Sequence, residues 1–532
     1  MTERKASVAN HFEYIIVGAG PAGLQLGYYL QKDNHNYLIL DKSCHPGSAF
    51  DRFPRHRTLI SINKVYTGFD DYEINLRWDW NSLLCDGDDK PVDFKDLTEE
   101  YFPDADLLTE YCKRYAEKYK INIKYKQEVK NIMKEGTFRV ETKTGEIYTC
   151  YNLIVATGFS KPYLPDSVPG IELTENYWDV SVDPKDFKNQ RVLIIGKGNS
   201  AFETADNLVA TTAYTHIISR HPVKFAWQSH FVGNLRAVNN NFLDTYQLKS
   251  QNAVLDAFIT NIEKDDKEYT VSVRFSHAQD QSLVYKYDRV ICCTGFKFDS
   301  SIFSEDCKPE LCIDDRFPKQ TSAWESTNVP NLYFAGTITQ GNAYQKSTSG
   351  FIHGFRYNSR ALYRFLAKKN YQVPWPNEKL PICANALTHS AIERLSQSSA
   401  LWQQFNYLVD VIIVNRKEDR ATYYYELPLA FVKESIVTKN NNVFTVKLAF
   451  GDHCPENPFA VQRNPDPEAG VESAYLHPVI THFVDGHQEE ELHLLESLFP
   501  TFREEWQQKP LREFFHNIVD PAAKNLFANE DF

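Results

Sequence analysis

The sequence of 532 residues predicts an α/β protein with two Rossmann-like dinucleotide-binding domains, one inserted into the other, and a C-terminal α+β domain. Two glycine-rich loops predict the nucleotide domains, because each follows a short apolar strand and opens a helix. Two apolar strings that end in Thr-Gly-Phe flank the second loop and mark where the chain leaves the first domain and returns. We expect the first domain to comprise residues 1–160 and 298–370, the inserted domain 161–297, and the C-terminal domain 371–532.

The first loop follows the strand FEYIIV and has the spacing G-x-G-x-x-G. In such a loop the first glycine permits a tight turn, the second lets the backbone approach a pyrophosphate, and the third allows close packing of helix on strand. The N–H groups at the start of the helix add partial positive charge. We predict that a dinucleotide binds at Gly18, Gly20, Pro21, Ala22 and Gly23.

A second apolar strand, NYLILDK, ends in a charged pair, Asp41 and Lys42. Asp41 stands near the position expected for the acid that binds a ribose hydroxyl. An acid here would repel the 2′-phosphate of NADP by roughly 4 kcal/mol at about 4 Å and an effective dielectric constant of ~20. The first site is therefore predicted to hold FAD or NAD, with Asp41 and Lys42 near its ribose.

The second loop, IIGKGNSAFE, repeats the arrangement with a different charge at the end of the next strand. Its nucleotide-binding residues are predicted to be Gly196, Gly198, Asn199, Ser200 and Ala201. The strand YTHIIS then ends near Arg220, whose guanidinium would attract a 2′-phosphate. This loop is therefore predicted to bind NADPH, and a solvated strand-end arginine without a ligand is the alternative for Arg220.

Composition excludes several other classes of protein. The formal net charge of −12 argues against a general nucleic-acid binder. No apolar run is long enough to span a membrane, and the N-terminal MTERKASVAN has no apolar segment, so we expect a cytoplasmic protein without a signal peptide. Ten cysteines without C-x-x-C spacing predict neither a disulfide framework nor a metal site. The adjacent Cys292 and Cys293 are interpreted as core residues.

Taken together, GAGPAG, ATGFSKPYLPDSVPG, GKGNSA and YFAG resemble the motifs of flavin-containing monooxygenases, which are flavoproteins with two dinucleotide sites. Between residues 10 and 370, longer strings such as FPRHRTLISINKVYTG, RWDWNSLL and SGFIHGFRYN are similar to an animal family of FAD-dependent oxidoreductases. The resemblance implies noncovalent FAD in the first site and NADPH in the second. Four turn residues at strand ends are predicted to bind a cofactor: Thr157 and Gly158 in ATGF, Gly295 in the second Thr-Gly-Phe string, and Gly336 in YFAG.

Within the monooxygenase group, NADPH reduces the flavin and oxygen then reacts at the flavin C4a position. The resemblance therefore implies a monooxygenase that takes O2 and oxygenates a nitrogen, sulfur or carbon centre of a small-molecule substrate. Asn81 in WDWNSLL stands where the group places an asparagine over the flavin, and a turn-forming asparagine is the alternative. The group's fingerprint F-x-G-x-x-x-H-x-x-x-F/Y aligns with Val168, Gly170, Thr174 and Trp178, so threonine replaces the histidine linked to NADP handling.

Two further groups of polar residues are candidates for the flavin site. Arg55, His56 and Arg57 form a dense basic string in an acidic chain, which suits a pyrophosphate or an anionic reduced flavin. An exposed charged loop is the alternative. His353 and Arg356 lie three residues apart on the last helix of the first domain and therefore share one face. Either could contact FAD, and a place on the helix surface is an equal alternative.

Other functions are left open at this point. An NADPH oxidase or reductase without oxygen insertion would use the same two sites. A reductase of disulfides would need a dithiol near the flavin, and the sequence has no C-x-x-C. A flavoprotein that acts mainly as a protein-binding module is the third alternative. Residues 371–532 leave it open, since they could cover the active site, pair two protomers in a homodimer or bind a partner.

Overall fold

The computed structural model describes residues 10–247, 251–440, 442–451, 460–499 and 501–519. The chain divides into two compact units. The first unit contains the chain up to Lys64, Cys85–Lys319 and Ser326–Gly341, and the second contains Val65–Leu84, Gln320–Glu325 and the chain from Asn342 onward. No helix in these described ranges is long and apolar enough to cross a membrane.

The first sheet of the first unit carries the first glycine loop. Its order is β3-β2-β1-β6-β5-β4, and β18 pairs with the carboxyl end of β6. The strands, numbered along the chain, are β1 (His11–Val17), β2 (Tyr37–Leu40), β3 (Ile123–Lys124), β4 (Val129–Glu135), β5 (Thr137–Thr142), β6 (Ile147–Val155) and β18 (Leu332–Phe334). Because β1 runs parallel to β2 and β6, their carboxyl ends meet at one edge, where nucleotides bind in sheets of this kind.

The second sheet of the same unit carries the second glycine loop. Its order is β13-β12-β11-β10-β9-β14-β8, with β9 parallel to both β10 and β14. The strands are β8 (Glu175–Asn176), β9 (Arg191–Ile195), β10 (Tyr214–Ser219), β11 (Ala253–Lys264), β12 (Tyr269–Phe275), β13 (Ser282–Tyr287) and β14 (Arg289–Cys292). The buried ends of β9 and β10 are continuous apolar runs, as expected of parallel strands covered on both faces.

The two Thr-Gly-Phe segments lie side by side. The segment after β6 leads into β7 (Lys161–Pro162), the segment after β14 leads into β15 (Phe296–Lys297), and these short strands pair antiparallel. A small hairpin of β16 (Leu311–Cys312) and β17 (Phe317–Pro318) follows. The prediction of a second nucleotide-binding fold inserted into the first is confirmed.

The described residues of the first unit form the α-helices α1 (Pro21–Lys32), α3 (Ala105–Lys118), α4 (Asn199–Leu208), α5 (Ala226–Ser229) and α6 (Asn241–Gln247). α1 and α4 follow the two glycine loops directly. Gly20 and Gly198 are their N-cap residues, and neither offers a side chain to the first N–H groups of its helix. Both helices therefore begin with amide groups available to an anion.

The second unit is built on a six-stranded antiparallel sheet of order β19-β21-β20-β22-β23-β24. Its strands are β19 (Asn377–Leu380), β20 (Leu408–Asn415), β21 (Arg420–Pro428), β22 (Asn442–Ala449), β23 (His477–Val484) and β24 (His487–His493). Its helices are α2 (Tyr72–Asn75), α7 (Ile352–Tyr371), α8 (Ala384–Gln397), α9 (Ser399–Gln403), α10 (Leu429–Phe431) and α11 (Glu505–Val519). Its main core joins α8 and α11 to the sheet through Leu387, Ile412, Phe444 and Phe515.

The predicted α+β character of the C-terminal part is confirmed. The unit is larger than residues 371–532, because α7 and the segment Val65–Leu84 cluster with it. No sequence pattern marks Val65–Leu84 as part of a distant domain, since its partners are far away along the chain.

Candidate cofactor site

The first glycine loop joins β1 to α1, and its three glycines are there for different reasons. Gly18 has φ +107°, and a Cβ atom there would lie 2.6 Å from the carbonyl oxygen of Ala156. A Cβ on Gly23 would lie 2.0 Å from the carbonyl oxygen of Gly18. A Cβ on Gly20 would meet nothing within 4 Å. The protein's own packing explains the first and third glycines, whereas the space beside Gly20 fits a pyrophosphate.

Asp41 directly follows β2 and reaches across to this loop. Its carboxylate accepts hydrogen bonds from the backbone N–H groups of Ala19, at 2.6 Å, and Ser43, at 2.8 Å. Lys42 is exposed next to it. The carboxylate is therefore held at the carboxyl edge of the sheet beside the glycine loop. Its contact with a ribose hydroxyl stays a prediction.

The turn after β6 lies against the same loop. A Cβ on Gly18 would lie 3.3 Å from Cα of Thr157. The side-chain oxygens of Thr157 and Ser160 are buried, and in the described part of the chain neither has a hydrogen-bond partner. An unpaired buried hydroxyl costs about 1–3 kcal/mol. Gly158 has φ +61° with open space where its side chain would be. These residues fit a site whose remaining polar partner is a nucleotide.

β18 completes this edge of the sheet. Gly336 follows it with φ +80°, and a Cβ there would lie 2.8 Å from Cβ of Ala22. Ala22 lies in the first turn of α1, directly after Pro21 at the first helical position. The close approach brings the closing strand to the start of the helix. The structure thus gathers Gly20, Asp41, Thr157 and Gly336 around one loop, and their predicted contacts with a cofactor stay predictions.

The second glycine loop joins β9 to α4 and repeats the pattern of the first. Gly196 has φ +121°, and a Cβ there would lie 2.3 Å from the carbonyl oxygen of Cys293. Ala201, which stands in the position of the third glycine, is fully buried. A Cβ on Gly198 would meet nothing within 4 Å. The second loop therefore has the same open space at its middle glycine, which suits a second nucleotide.

Asn199 has a structural task in this loop. Its side-chain nitrogen donates to the carbonyl oxygens of Gly233 and Asn234, at 3.1 and 2.8 Å. Its side-chain oxygen accepts from the backbone N–H of Arg236 and the amide of Asn239. Four hydrogen bonds thus fix the segment after β10 to the start of α4. The nucleotide contact predicted for Asn199 stays a prediction, and its backbone N–H in the first turn of α4 is the group left for it.

Arg220 is exposed at the end of β10, in the place where Asp41 stands in the first sheet. Its Nε donates to Nε2 of His221 at 2.9 Å. It forms no ion pair with any residue in the described ranges, although the chain is acidic overall. A guanidinium with no internal counter-charge is suited to bind an external anion.

The predicted basic cluster lies against the second sheet's residues. The backbone N–H of Arg55 donates to the hydroxyl of Tyr177 at 3.2 Å, and its Nη2 donates to the carbonyl oxygen of Val180 at 2.7 Å. Nε2 of His56 lies 3.5 Å from the hydroxyl of Thr204 on α4. Burial, with help from the Arg55 charge, lowers the pKa of His56 to about 4, so His56 is neutral near pH 7.

Arg57 points elsewhere. It forms an ion pair of 2.6 Å with Asp106 at the start of α3. The string FPRHR therefore joins the two nucleotide-binding folds through Arg55 and His56, whereas Arg57 is paired with an acid. The flavin contacts predicted for Arg55, His56 and Arg57 stay predictions.

Sequence reasoning missed Glu203, a buried acid on α4. It is 8% exposed and accepts a short hydrogen bond from the hydroxyl of Tyr177. Burial raises its pKa from 4.5 to about 7, and the Tyr177 hydrogen bond and the Arg55 charge only partly oppose this. The available signal was its spacing: Glu203 lies three residues after Ser200 and so shares its helix face.

Glu203 gives a prediction about pH. An acid whose folded pKa is raised binds protons more tightly in the folded state, so stability falls as pH rises from 4.5 to 7. Glutamine does not titrate, so we expect the stability of Glu203→Gln not to show this fall. The free energy of unfolding of the variant relative to that of the wild type should increase by about 1 kcal/mol per pH unit in that window. Urea unfolding at a series of pH values measures it. Parallel pH profiles for the two proteins would contradict it.

A small cleft opens beside Tyr177 and Ser200. Cys292, Cys293, Gly295 and Phe296 line its other side. Gly295 has φ +96°, a conformation that favours glycine. Both cysteines are free thiols, and burial raises the pKa of each. They belong to two different apolar clusters, so they do not act as a redox pair in this structure.

The second unit holds the remaining predicted residues. Asn81 and His353 are buried there, and the ring of neighbouring Trp80 stacks on His353 with 4.2 Å between centroids. The fully buried Arg356 donates to three backbone carbonyl oxygens of the Asn81 segment, at 2.7–2.9 Å, those of Leu76, Asp79 and Ser82. Arg356 therefore anchors the segment that carries Asn81. Contacts of Asn81 and His353 with flavin stay predictions.

Comparison with known proteins agrees with this geometry. Residues 15–336 match the pyridine nucleotide-disulphide oxidoreductase family. The chain is 34% identical to the FAD-dependent oxidoreductase domain-containing protein 2 of Mus musculus over 98% of this chain and 86% of the relative. The chain belongs to this family of FAD-dependent oxidoreductases. As a member of the family it is a flavin-dependent oxidoreductase, and FAD is the cofactor that the family implies.

Solved structures of other proteins share the family's fold. A flavin-containing monooxygenase from Stenotrophomonas maltophilia has a TM-score of 0.52 and 20% identity over 68% of this chain and 99% of its own. A bacillithiol disulfide reductase from Staphylococcus aureus has a TM-score of 0.51 and 21% identity over the same shares. Two different activities stand on the same fold, so the fold alone does not select between them.

Proposed function

We propose that the protein binds FAD in the first glycine loop and NADPH in the second, and that NADPH reduces the flavin. The observation that carries the proposal is the difference between two otherwise similar sites. Both loops leave space at the middle glycine, but a carboxylate, Asp41, follows the strand in the first and a guanidinium, Arg220, follows it in the second. A 2′-phosphate is repelled by the first charge and attracted by the second.

Different residues of the chain would then have different roles in binding the two nucleotides. The N–H groups at the start of α1 and α4 bind the two pyrophosphates. Thr157 and Gly158 supply a hydroxyl and open space beside the first loop. FAD, when bound, supplies hydride acceptance and reaction with oxygen, and the protein supplies orientation and exclusion of water.

We propose further that the two electrons pass to O2, that one oxygen atom enters a small-molecule nitrogen, sulfur or carbon centre, and that the other leaves as water with the uptake of a proton. The motif resemblance to flavin-containing monooxygenases, in which an asparagine stands at the position of Asn81, supports this step. The side chain of Asn81 is a neutral amide, so it can donate a hydrogen bond without giving up its proton. Thr174 favours a second candidate, an NADPH oxidase that releases hydrogen peroxide. The hydroxyl of Thr174 donates to the carbonyl oxygen of Ile171 at 2.7 Å. It therefore does not take over the role of the imidazole ring in the fingerprint histidine.

The test is anaerobic mixing of the FAD-loaded protein with NADPH, followed by oxygen. We expect loss of the oxidised flavin absorbance with NADPH, and then reoxidation with less than one peroxide released per NADPH when the substrate is present. One peroxide per NADPH under every condition would select the oxidase. No flavin reduction at all would contradict the proposal and leave a binding module.

Arg220 gives a direct prediction for the second site. We expect Arg220→Ala to lower kcat/KM for NADPH by about 10- to 100-fold and to leave kcat/KM for NADH within about threefold, because a hydrogen bond to a charged group contributes about 1.5–3 kcal/mol. Arg274→Ala is the control, since Arg274 lies in the same sheet and pairs with Asp280. An unchanged preference in Arg220→Ala would remove Arg220 from the 2′-phosphate site.

A further inference from the structure

An acid stands next to the place assigned to the 2′-phosphate. β10 pairs in parallel with β11, and Ser219, the residue before Arg220, lies opposite Asp256. Adjacent strands are about 4.8 Å apart, so the Asp256 carboxylate begins one strand away from the Arg220 position. Its side chain is 31% exposed. An unneutralised carboxylate there would oppose a phosphate dianion for the same reason that Asp41 does in the first site.

Lys197 neutralises this acid. It is the residue between the two glycines of the second loop, and its side chain is only 5% exposed. Its ammonium forms an ion pair with Asp256 and donates to the carbonyl oxygen of His221 at 3.0 Å. The lysine therefore joins the glycine loop, the neighbouring strand and the turn after β10. Because the lysine side chain is almost fully buried, this ion pair is screened less than one between two exposed side chains.

The same contacts fix the turn that carries Arg220. The hydroxyl of Ser219 donates to the His221 carbonyl oxygen at 2.9 Å, so this oxygen accepts from two donors. The His221 ring in turn accepts from Nε of Arg220 at 2.9 Å. Lys197 thus acts on the site through Asp256 and His221, as a positioning residue that need not touch the nucleotide.

We propose that Lys197 sets the preference for a nucleotide with a 2′-phosphate by cancelling the charge of Asp256. This inference rests on the proposed function of the second loop as the NADPH site. Lysine is a costly choice between two glycines of a phosphate loop unless its charge is needed, because its long side chain loses conformational freedom on burial. Without Lys197, the 2′-phosphate would lie near both the positive charge of Arg220 and the unpaired negative charge of Asp256.

The test measures binding to the FAD-loaded protein by calorimetry, with 2′,5′-ADP and 5′-AMP as probes. These two differ only in the 2′-phosphate. We expect Lys197→Met to reduce the ratio of the two affinities by about tenfold or more, with 5′-AMP binding within about threefold of the wild type. Lys197→Arg keeps the charge and should retain the ratio. Lys188→Met is the matched control, since Lys188 is exposed in the same fold.

The double variant Lys197→Met/Asp256→Asn makes the inference specific. We expect it to restore the ratio to within about threefold of the wild type, because the unpaired carboxylate is gone. A purely structural lysine would not be rescued in this way. A retained ratio in Lys197→Met, or no rescue in the double variant, would overturn the inference. If the wild type itself binds both probes equally, the proposed NADPH site fails instead.

Discussion

Gly20→Val is expected to produce a folded protein that binds FAD at least about 100-fold more weakly than the wild type. Gly20 has φ −74° and ψ 179°, which any residue adopts, and a Cβ there would contact nothing within 4 Å. The apoprotein should therefore lose no more than about 1 kcal/mol of stability. The valine methyl groups would instead fill the space assigned to the pyrophosphate and block the N–H groups of α1.

The flavin content of the purified protein, from its absorbance, and the unfolding of the apoprotein measure the two halves of this prediction. Gly198→Val is the matched variant at the second loop. It should keep its FAD and lose reduction by NADPH, since the same geometry occurs there. Gly18→Val is the contrasting variant, which should lose fold and FAD together, because its φ of +107° and the Ala156 oxygen exclude a side chain. Full FAD content in Gly20→Val would contradict the assignment of the first site.

The residues predicted from sequence are those whose role depends on local spacing. The glycine loops, Asp41 and Arg220 follow strands at fixed intervals, and the parallel pairing of those strands determines where they lie. Such positions can be predicted from the sequence because the residues that form the glycine turns and the strand ends are also the residues of the motif.

Glu203, Lys197 and Asp256 could not be identified in the same way. The hydrogen-bond partner of Glu203 is Tyr177. The ion-pair partner of Lys197 is Asp256, which is 59 residues further along the chain. The structural role of Asn199 was missed for the same reason, since its four hydrogen-bond partners lie in the segment after β10. Long-range side-chain pairs therefore account for much of what sequence reasoning missed.

The second unit contains a buried cluster of ion pairs that no sequence motif predicts. Glu426 on β21 is 4% exposed and pairs with Arg360 and Arg364 of α7 at 2.7 and 3.0 Å, and with Arg394 of α8 at 3.1 Å. Arg394 also pairs with the fully buried Asp410 at 2.7 Å. Three guanidinium groups thus share two carboxylates, and α7, which also anchors the Asn81 segment, is joined to the sheet through them.

Glu426→Gln is expected to destabilise the protein by about 3–5 kcal/mol at pH 7, since removing one partner from a buried ion pair leaves uncompensated charge. Burial acts to raise the pKa of Glu426, but the three arginines outweigh it and hold that pKa well below its usual range. A depressed carboxyl pKa stabilises the fold above its unfolded value of 4.5, and this contribution is lost as pH falls. The difference between variant and wild type should therefore shrink below about pH 4.5.

Urea unfolding followed by far-UV circular dichroism measures this difference at pH 7 and pH 4. Glu513→Gln is the matched control, because Glu513 makes the same kind of pair with Lys509 on α11 but is 61% exposed. It should change stability by less than about 0.5 kcal/mol. Equal effects of the two substitutions would mean that the cluster around Glu426 contributes no more than a surface pair. In that case Arg360 and Arg364 would not be what joins α7 to the sheet, and the position of Asn81 would depend on Arg356 alone.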